Sequence, residues 1–414
     1  MENRRILYNI CRIWQGGKKM KTMKKVLLGI GVLVIAFSVV GRVRAQGDLE
    51  RKLETYLQVL DIVKSDYVEK HLEDEKLVYG SIRGLLDALD DPYTRFVEPT
   101  AYKEMQIRMS GSYSGIGIYI GIKEKQLAII SPIEGTPADK AKLKAGDQIK
   151  TVDKKSTKDM ALEEAVSLIR GPRGSTVVLG IMRKGWNEEK NVPIVRDNIK
   201  INSVTTKKLD SNIAYIKLNT FEKIDSAQEF EKALRESRYT DGLIVDLRGN
   251  GGGLLQNAID IGSMFIEEGI IVQTVDREGR KEQIASTGRV LWKKPTVFLI
   301  NESSASASEI LAGALRDNNV ATLVGSTTFG KASVQNVRRL NDGSALLVTI
   351  AKYLTPNGDY INKKGISPEV LVLVPTGEAE TELVSEEKDA EDIQLQKAIV
   401  VIKSKIAGGG NGTI

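Results

Sequence analysis

From Ile213 onward the chain alternates β-type and helical segments, and no other feature narrows its fold as far. Ile213–Phe221 reads as a strand, Ser226–Ser237 as a helix and Leu243–Leu247 as a strand. A glycine loop at Gly249–Gly253 leads into a helix over Leu254–Ile266, and the strand Thr296–Ile300 runs into a helix over Ala305–Arg316. Such alternation predicts an α/β layer with parallel strands. A length of 414 residues then leaves room for two or three domains.

The stretch before this layer has a different rhythm. Gly115–Ile122 is a glycine-punctuated apolar strand, with further short strands at Leu127–Ser131, Asp147–Val152 and Val177–Met182. Leu162, Ala165, Val166 and Ile169 mark one face of a single helix between them. Residues 111–184 therefore read as a small β-rich module, and residues 185–375 as the α/β core. Residues 46–110 are mainly helical. Leu53, Leu57, Leu60 and Val63 form an amphipathic stripe, and a second helix near Leu77–Leu89 stops at Asp90-Asp91-Pro92. A packing or dimerisation arm accounts for this region. Residues 376–414 comprise an acidic stretch, one helix at Ile393–Ile406 and a glycine-rich tail.

At the other end, Met23-Lys24-Lys25 precedes an apolar run over Val26–Val40, and Val43-Arg44-Ala45 offers small residues suited to cleavage. The run is shorter than the roughly 20 residues that span a bilayer comfortably. Residues 1–45 read as a signal peptide or an uncleaved anchor behind a basic extension. Both readings place the remainder outside the cytoplasm, in the periplasm or on the outer face of an inner membrane.

Composition restricts the chemistry. The chain holds one Cys, Cys11, and one His, His71. A disulfide within one chain is excluded, and a zinc site of the usual His/Cys kind lacks ligands. His71 lies in a charged stretch that reads as solvated, so a hydrolase here must activate its nucleophile without imidazole. A net charge of +6 with scattered basic residues speaks against a nucleic-acid partner. Nothing calls for a metal or organic cofactor.

Two segments can carry chemistry. In Thr296–Leu311 a buried strand enters a turn of small residues and then a helix, so a Ser hydroxyl lies beside unpaired N–H groups at the positive helix end. Such groups stabilise an oxyanion in acyl transfer, although serines at a helix start also simply cap it. In Leu323–Gln335, Lys331 stands among small, glycine-flanked residues. An ordinary lysine has a pKa of about 10.4, so about one in 2,500 is neutral at pH 7. Working near neutrality needs a lowering of roughly 3 pH units, about 4 to 5 kcal/mol, which burial can supply. A surface lysine in a loop would show the same segment. The run Asp246-Leu-Arg-Gly-Asn-Gly-Gly-Gly253 brings backbone N–H groups close to a ligand but fits neither the phosphate-loop nor the dinucleotide pattern.

Taken together, DLRGNGGG, NESSASASEI and FGKASVQ, in that order, resemble the carboxyl-terminal processing (tail-specific) proteases, serine peptidases that carry a PDZ domain. The resemblance runs from about Leu49 to Val374 and includes Asp91-Pro92-Tyr93-Thr94-Arg95-Phe96. It implies a Ser306 nucleophile, a Lys331 general base oriented by Gln335, and oxyanion donors at Ala307 and at Gly251 or Gly252. It also implies a PDZ module at 111–184. There Gly115, Ile116, Gly117 and Ile118 would hold a terminal carboxylate, and Leu162 and Val166 would receive an apolar last side chain. The implied function is an exported endopeptidase that cuts proteins near their C-termini through an acyl-enzyme, with apolar-tailed proteins as substrates. The resemblance allows an activating adaptor, and the helical arms predict a homodimer or larger assembly. The alternative is a PDZ scaffold on an inactive protease-like domain.

Overall fold

The computed structural model describes residues 48–123, 126–374 and 392–409. The expected signal segment with Cys11, the acidic stretch 376–391 and the tail beyond residue 409 lie outside them. The chain divides into two compact units, one ending at Ser81 and the other beginning at Ile82.

In the first unit, helix α1 covers residues 48–66, and helix α2, Asp74–Asp87, begins. A hydrogen bond of 2.8 Å from Tyr56 Oη to Ser81 Oγ and an ion pair of 2.8 Å between Lys64 and Asp74 hold this unit together. On the predicted apolar stripe, Leu53 and Leu57 are 52% and 59% exposed, whereas Leu60 and Val63 are half-buried. His71 is exposed.

The second unit opens on strand β1, Arg95–Val97, and helix α3, Pro99–Ser110. The helix ends at Gly111, whose φ of +71° suits a left-handed terminus. A small sheet follows, formed by β2, Ser112–Gly115, paired with β9, Asp197–Lys200. Between these strands lies the β-rich module. Its antiparallel sheet runs β3 (Ile118–Lys123), β4 (Gln126–Pro132), β5 (Gln148–Val152), β7 (Thr176–Met182) and β8 (Lys190–Val195), with β6 (Lys155–Ser156) on β5. Helices α4, Pro137–Lys140, and α5, Leu162–Ile169, close the module. Ile116, Ile129, Ile149, Ala165, Leu179 and Ile181 are part of its core.

The single strand expected over Gly115–Ile122 is in fact two strands in two sheets. The chain turns at Ile116-Gly117, where Gly117 has φ of +81° and a Cβ would lie 2.4 Å from the Thr136 side chain. Only glycine tolerates that backbone and that approach.

The α/β core follows the expected rhythm. Its sheet runs β10 (Val204–Leu209), β11 (Ile213–Leu218), β12 (Gly242–Asp246), β15 (Thr296–Ile300), β16 (Thr322–Gly325) and β19 (Val370–Leu371). The β10–β11 pair is antiparallel and the other pairs are parallel. Helices α6 (Ser226–Glu236), α7 (Leu255–Ser263) and α8 (Ala307–Asp317) cover one face. The other face is packed by α9, Ile393–Gly409, through Leu395, Ala398 and Ile402.

A second sheet has no counterpart in the strand–helix rhythm. Strand β18, Ala345–Leu354, pairs antiparallel with β17 (Ser333–Arg339), β1 and β13 (Ile270–Asp276), and β14 (Lys281–Ala285) pairs with β13. This sheet brings the N-terminal motif beside Lys331.

Ile402 is fully buried, and Gly242 of β12 lies so close that a Cβ there would come within 2.9 Å of Ile402 Cγ1. Replacing Ile402 by Ala removes packed methylenes from a site that cannot collapse, and should cost about 3 kcal/mol of core stability in urea unfolding.

Candidate active site

The strands of the parallel sheet end together, and the candidate residues gather at that end. After β15 the chain turns through Asn301–Ala305 and enters α8 at Ser306, which has φ of +56° and ψ of −114°. A non-glycine residue held there is strained, so the surrounding bonds must impose the conformation. Ser304 Oγ donates to Leu247 O at 2.8 Å, Ala305 N to Asn250 O at 3.1 Å, and Ser308 Oγ to Asn250 O at 2.8 Å. The serine turn is thereby stitched to the glycine loop.

The buried Glu309, in the first turn of α8, organises the centre. Its carboxylate accepts from Ser306 N at 2.9 Å, Lys331 N at 2.9 Å, Gly330 N at 2.7 Å and Thr328 Oγ1. Tyr353 adds a second bridge, donating to Lys331 O and lying 3.3 Å from Ser306 O. Burial and the neighbouring Glu309 raise the pKa of this phenol, which keeps its proton for donation. The backbones of Ser306 and Lys331 are thus fixed to the same two side chains. The sequence signal for Glu309 is Ser306-Ala-Ser-Glu309, the spacing of a capping box.

The side chain of Lys331 is placed differently from the expectation. Nζ lies 4.7 Å from the centroid of the Tyr93 ring and makes no hydrogen bond to Ser306 or Gln335. Gln335 instead donates to Ser333 Oγ at 2.8 Å and to Thr349 Oγ1 at 3.5 Å. Burial lowers the Lys331 pKa below its ordinary 10.5, and Arg95 lowers it further, against the opposing pull of Asp91 and Glu309.

In the glycine loop, Gly252 packs against the turn so closely that a Cβ would lie 2.6 Å from Ala305 O and 2.8 Å from Ala307 N. Its N–H donates to Asn250 Oδ1 at 2.9 Å. The N–H groups of Gly251 and Ala307 have no acceptor among the described residues. Arg248 anchors the start of the loop. Its guanidinium binds Asp246 through Nε at 3.0 Å, and both Asp392 oxygens at 2.8 Å, with Gln394 Oε1 at 3.2 Å. Burial works against this charge, but Asp246 and Asp392 raise the pKa. Helix α9 is therefore tied to the loop by a half-buried bidentate pair, which the sequence reading missed.

In the β-rich module the predicted carboxylate loop forms the turn between β2 and β3. Carbonyl groups of Ile116 and Gly117 accept from Ala138 N and Ile133 N, both at 2.9 Å. Ile116 is in the core, 1% exposed. Strand β3 is an edge of its sheet, and Leu162 and Val166 are half-buried on α5 while Ala165 and Ile169 pack inside. Among the described residues, no cluster of three or more His, Cys, Asp or Glu is placed to hold a metal ion. None of their helices is long and apolar enough to cross a membrane.

The chain is similar to known proteins over most of its length. The model for peptidase family S41 matches residues 212–372, that for the PDZ domain residues 104–182, and that for the activating protease CtpB N-terminal domain residues 38–100. The carboxy-terminal processing protease CtpA of Bacillus subtilis (strain 168) is 39% identical over 329 residues, 79% of this chain and 70% of that protein. A carboxyl-terminal-processing protease of Synechocystis sp. is 37% identical over 356 residues, covering 84% and 82%. Among solved structures, the photosystem II D1 C-terminal processing protease is 33% identical with a TM-score of 0.46, covering 74% of this chain and 84% of that one.

Two consequences can be measured. Glu309→Gln presents an amide donor to groups that all donate, and should cost about 2 kcal/mol in urea unfolding. Lys331 has a folded-state pKa below its unfolded one, so holding it protonated in the folded chain costs stability at pH values below both, and that cost is lost as the pH rises past them. Lys331→Met should accordingly raise the urea midpoint at pH 7, with the gain fading as the pH climbs towards 10.5, the ordinary lysine value.

Proposed function

The chain belongs to the carboxyl-terminal processing proteases of peptidase family S41, serine peptidases here carrying a PDZ domain, and on that premise we propose that Ser306 and Lys331 form its catalytic dyad. The observation that carries this reading is the Glu309 carboxylate, which holds the backbone N–H of both residues. A scaffold on an inactive domain would have no use for a strained serine and a half-buried lysine fixed to one group.

In this reading neutral Lys331 removes the Ser306 hydroxyl proton as Oγ attacks the scissile carbonyl carbon. The resulting oxyanion is met by the Ala307 N–H and by the glycine loop, where Gly251 has the uncommitted donor. Collapse breaks the C–N bond, and the leaving amine takes the proton from the Lys331 ammonium. Water then attacks the Ser306 ester, giving its proton to Lys331. Expulsion of the Ser306 oxygen, which recovers that proton, frees the new C-terminal acid. Turnover requires Nζ to leave the Tyr93 ring and reach Ser306 Oγ, with Gln335 steadying it there.

Substrates are proteins with apolar C-terminal tails. The tail carboxylate would meet N–H groups of the Gly115–Ile118 turn, and the peptide would extend β3 as a further strand. Its last side chain would rest on Leu162 and Val166, which are half-buried and accessible. The exposed Leu53 and Leu57 support a homodimer or larger assembly through the helical arm, to which an activating adaptor can add. The apolar run over Val26–Val40 supports work outside the cytoplasm.

The test is degradation of a loosely folded, apolar-tailed protein by wild type, Ser306→Ala and Lys331→Ala. Wild-type cleavage with at least a thousandfold loss (on the order of 10³) in each variant is expected; full activity in either variant would sink the dyad. The rate should rise with pH through an acid limb below 10.5, since protonation of Lys331 removes the base. Gly252→Ala should also abolish turnover, because the added Cβ drives the loop off the serine turn.

A further inference from the structure

The segment Asp91–Phe96 is built to deliver side chains to Lys331. Asp91 accepts from Tyr93 N at 3.0 Å and from Thr94 Oγ1 at 2.7 Å, closing a tight turn. Thr94 Oγ1 in turn accepts from Thr349 N at 3.0 Å, in the middle of β18. Strand β1 then pairs Arg95 with Leu347 and Phe96 with Leu346. Hydrogen bonds to Asp91 outweigh its burial and hold its carboxyl below the usual range, so this anchor persists at neutral pH. The turn presents the Tyr93 ring, whose centroid is 4.7 Å from Lys331 Nζ. The charged and titratable groups acting on Nζ are Asp91, Tyr93 and Arg95 from this segment and Glu309 from α8, while Tyr353 from β18 holds the Lys331 carbonyl.

We propose that Tyr93 and Arg95 are positioning residues for the base. The Tyr93 ring is the seat of the Lys331 ammonium, and the Arg95 guanidinium opposes that charge and favours release of the proton. An ammonium over an aromatic face is attracted to it, which stabilises the protonated form away from Ser306. A like charge nearby acts the other way. The segment therefore holds the base in reserve and, through Arg95, keeps its proton loosely bound. Arg95 is exposed, so its influence weakens with salt, whereas that of the sheltered ring does not.

The inference rests on Lys331 as the general base, and the experiment separates the two. The titration of Lys331 would be followed by the ¹³Cε resonance of the Ser306→Ala protein, identified by its loss on Lys331→Ala. The acid limb of kcat/KM would be measured in parallel on otherwise wild-type protein. Tyr93→Leu should lower the titration point by about half to one pH unit, and Tyr93→Phe, which keeps the ring face, should leave it in place. Arg95→Gln should raise it by about half a pH unit at low ionic strength, and by much less in about 1 M salt. A titration point unmoved in both Tyr93→Leu and Arg95→Gln, or moving the same way in both, overturns the proposal. If Tyr93→Leu does not fold, Arg95→Gln, at an exposed position, decides alone. Opposite shifts together with a Lys331→Ala protein that still cleaves would uphold this inference and remove the dyad. Unmoved titrations with an inactive Lys331→Ala would do the reverse.

Discussion

A carboxylate sealed beneath a helix start accepts backbone N–H groups from two separate loops. Glu309 joins Ser306, at the end of β15, to Gly330 and Lys331, after β16. The two loops are already neighbours because β15 and β16 are paired and parallel, which brings the ends of parallel strands to one edge of the sheet. What the sheet cannot supply is register at the scale of a hydrogen bond. Acceptance of four donors by one rigid group supplies it, and the bonds are strengthened by the low dielectric around them. The positive φ of Ser306 depends on the same contact, since Glu309 takes the N–H that a strained turn would otherwise leave unpaired.

Around that point the site is layered from distant parts of the chain. The glycine loop fits against the serine turn because Gly252 has no side chain, and Arg248 fixes its base. The antiparallel sheet of β18 carries Tyr353 inward and offers the edge on which β1 docks. Each contribution is a backbone placement first and a side chain second. This explains why small residues dominate the motifs: the chemistry needs main-chain atoms within bonding distance, and bulk would hold them apart.

Much of the α/β core was legible because strand and helix periods alternate clearly. Thr296–Ile300 is a strand over the bounds read from sequence, and the start of α8 lies at Ser306. The second sheet was not legible. Its strands pair across large sequence separations, as in Arg95 with Leu347, and neither partner alone has a strong alternating pattern. The break at Ile116-Gly117 was hidden by apolar residues that continue across it, so the turn depends on Gly117 and Thr136 meeting in space. Ser306 and Lys331 stand out through local motifs, but the partners of Lys331 do not. Tyr93 lies far away in sequence, and Gln335, close in sequence, points to Ser333 and Thr349 instead. Glu309 could have been found from its capping-box spacing, whereas Asp392 carries no local signal at all.

The tie between Arg248 and Asp392 spans 144 residues of chain, and it sets an order of events during synthesis. A ribosome delivers the glycine loop, the serine turn and the lysine loop well before helix α9. Until α9 is made, one face of the central sheet lacks its apolar cover and Arg248 lacks its second carboxylate partner. The glycine loop therefore acquires its last support after Ser306, Glu309 and Lys331 already exist. A nascent chain carrying these residues stands with that loop half-anchored and that sheet face uncovered for as long as translation takes to reach α9.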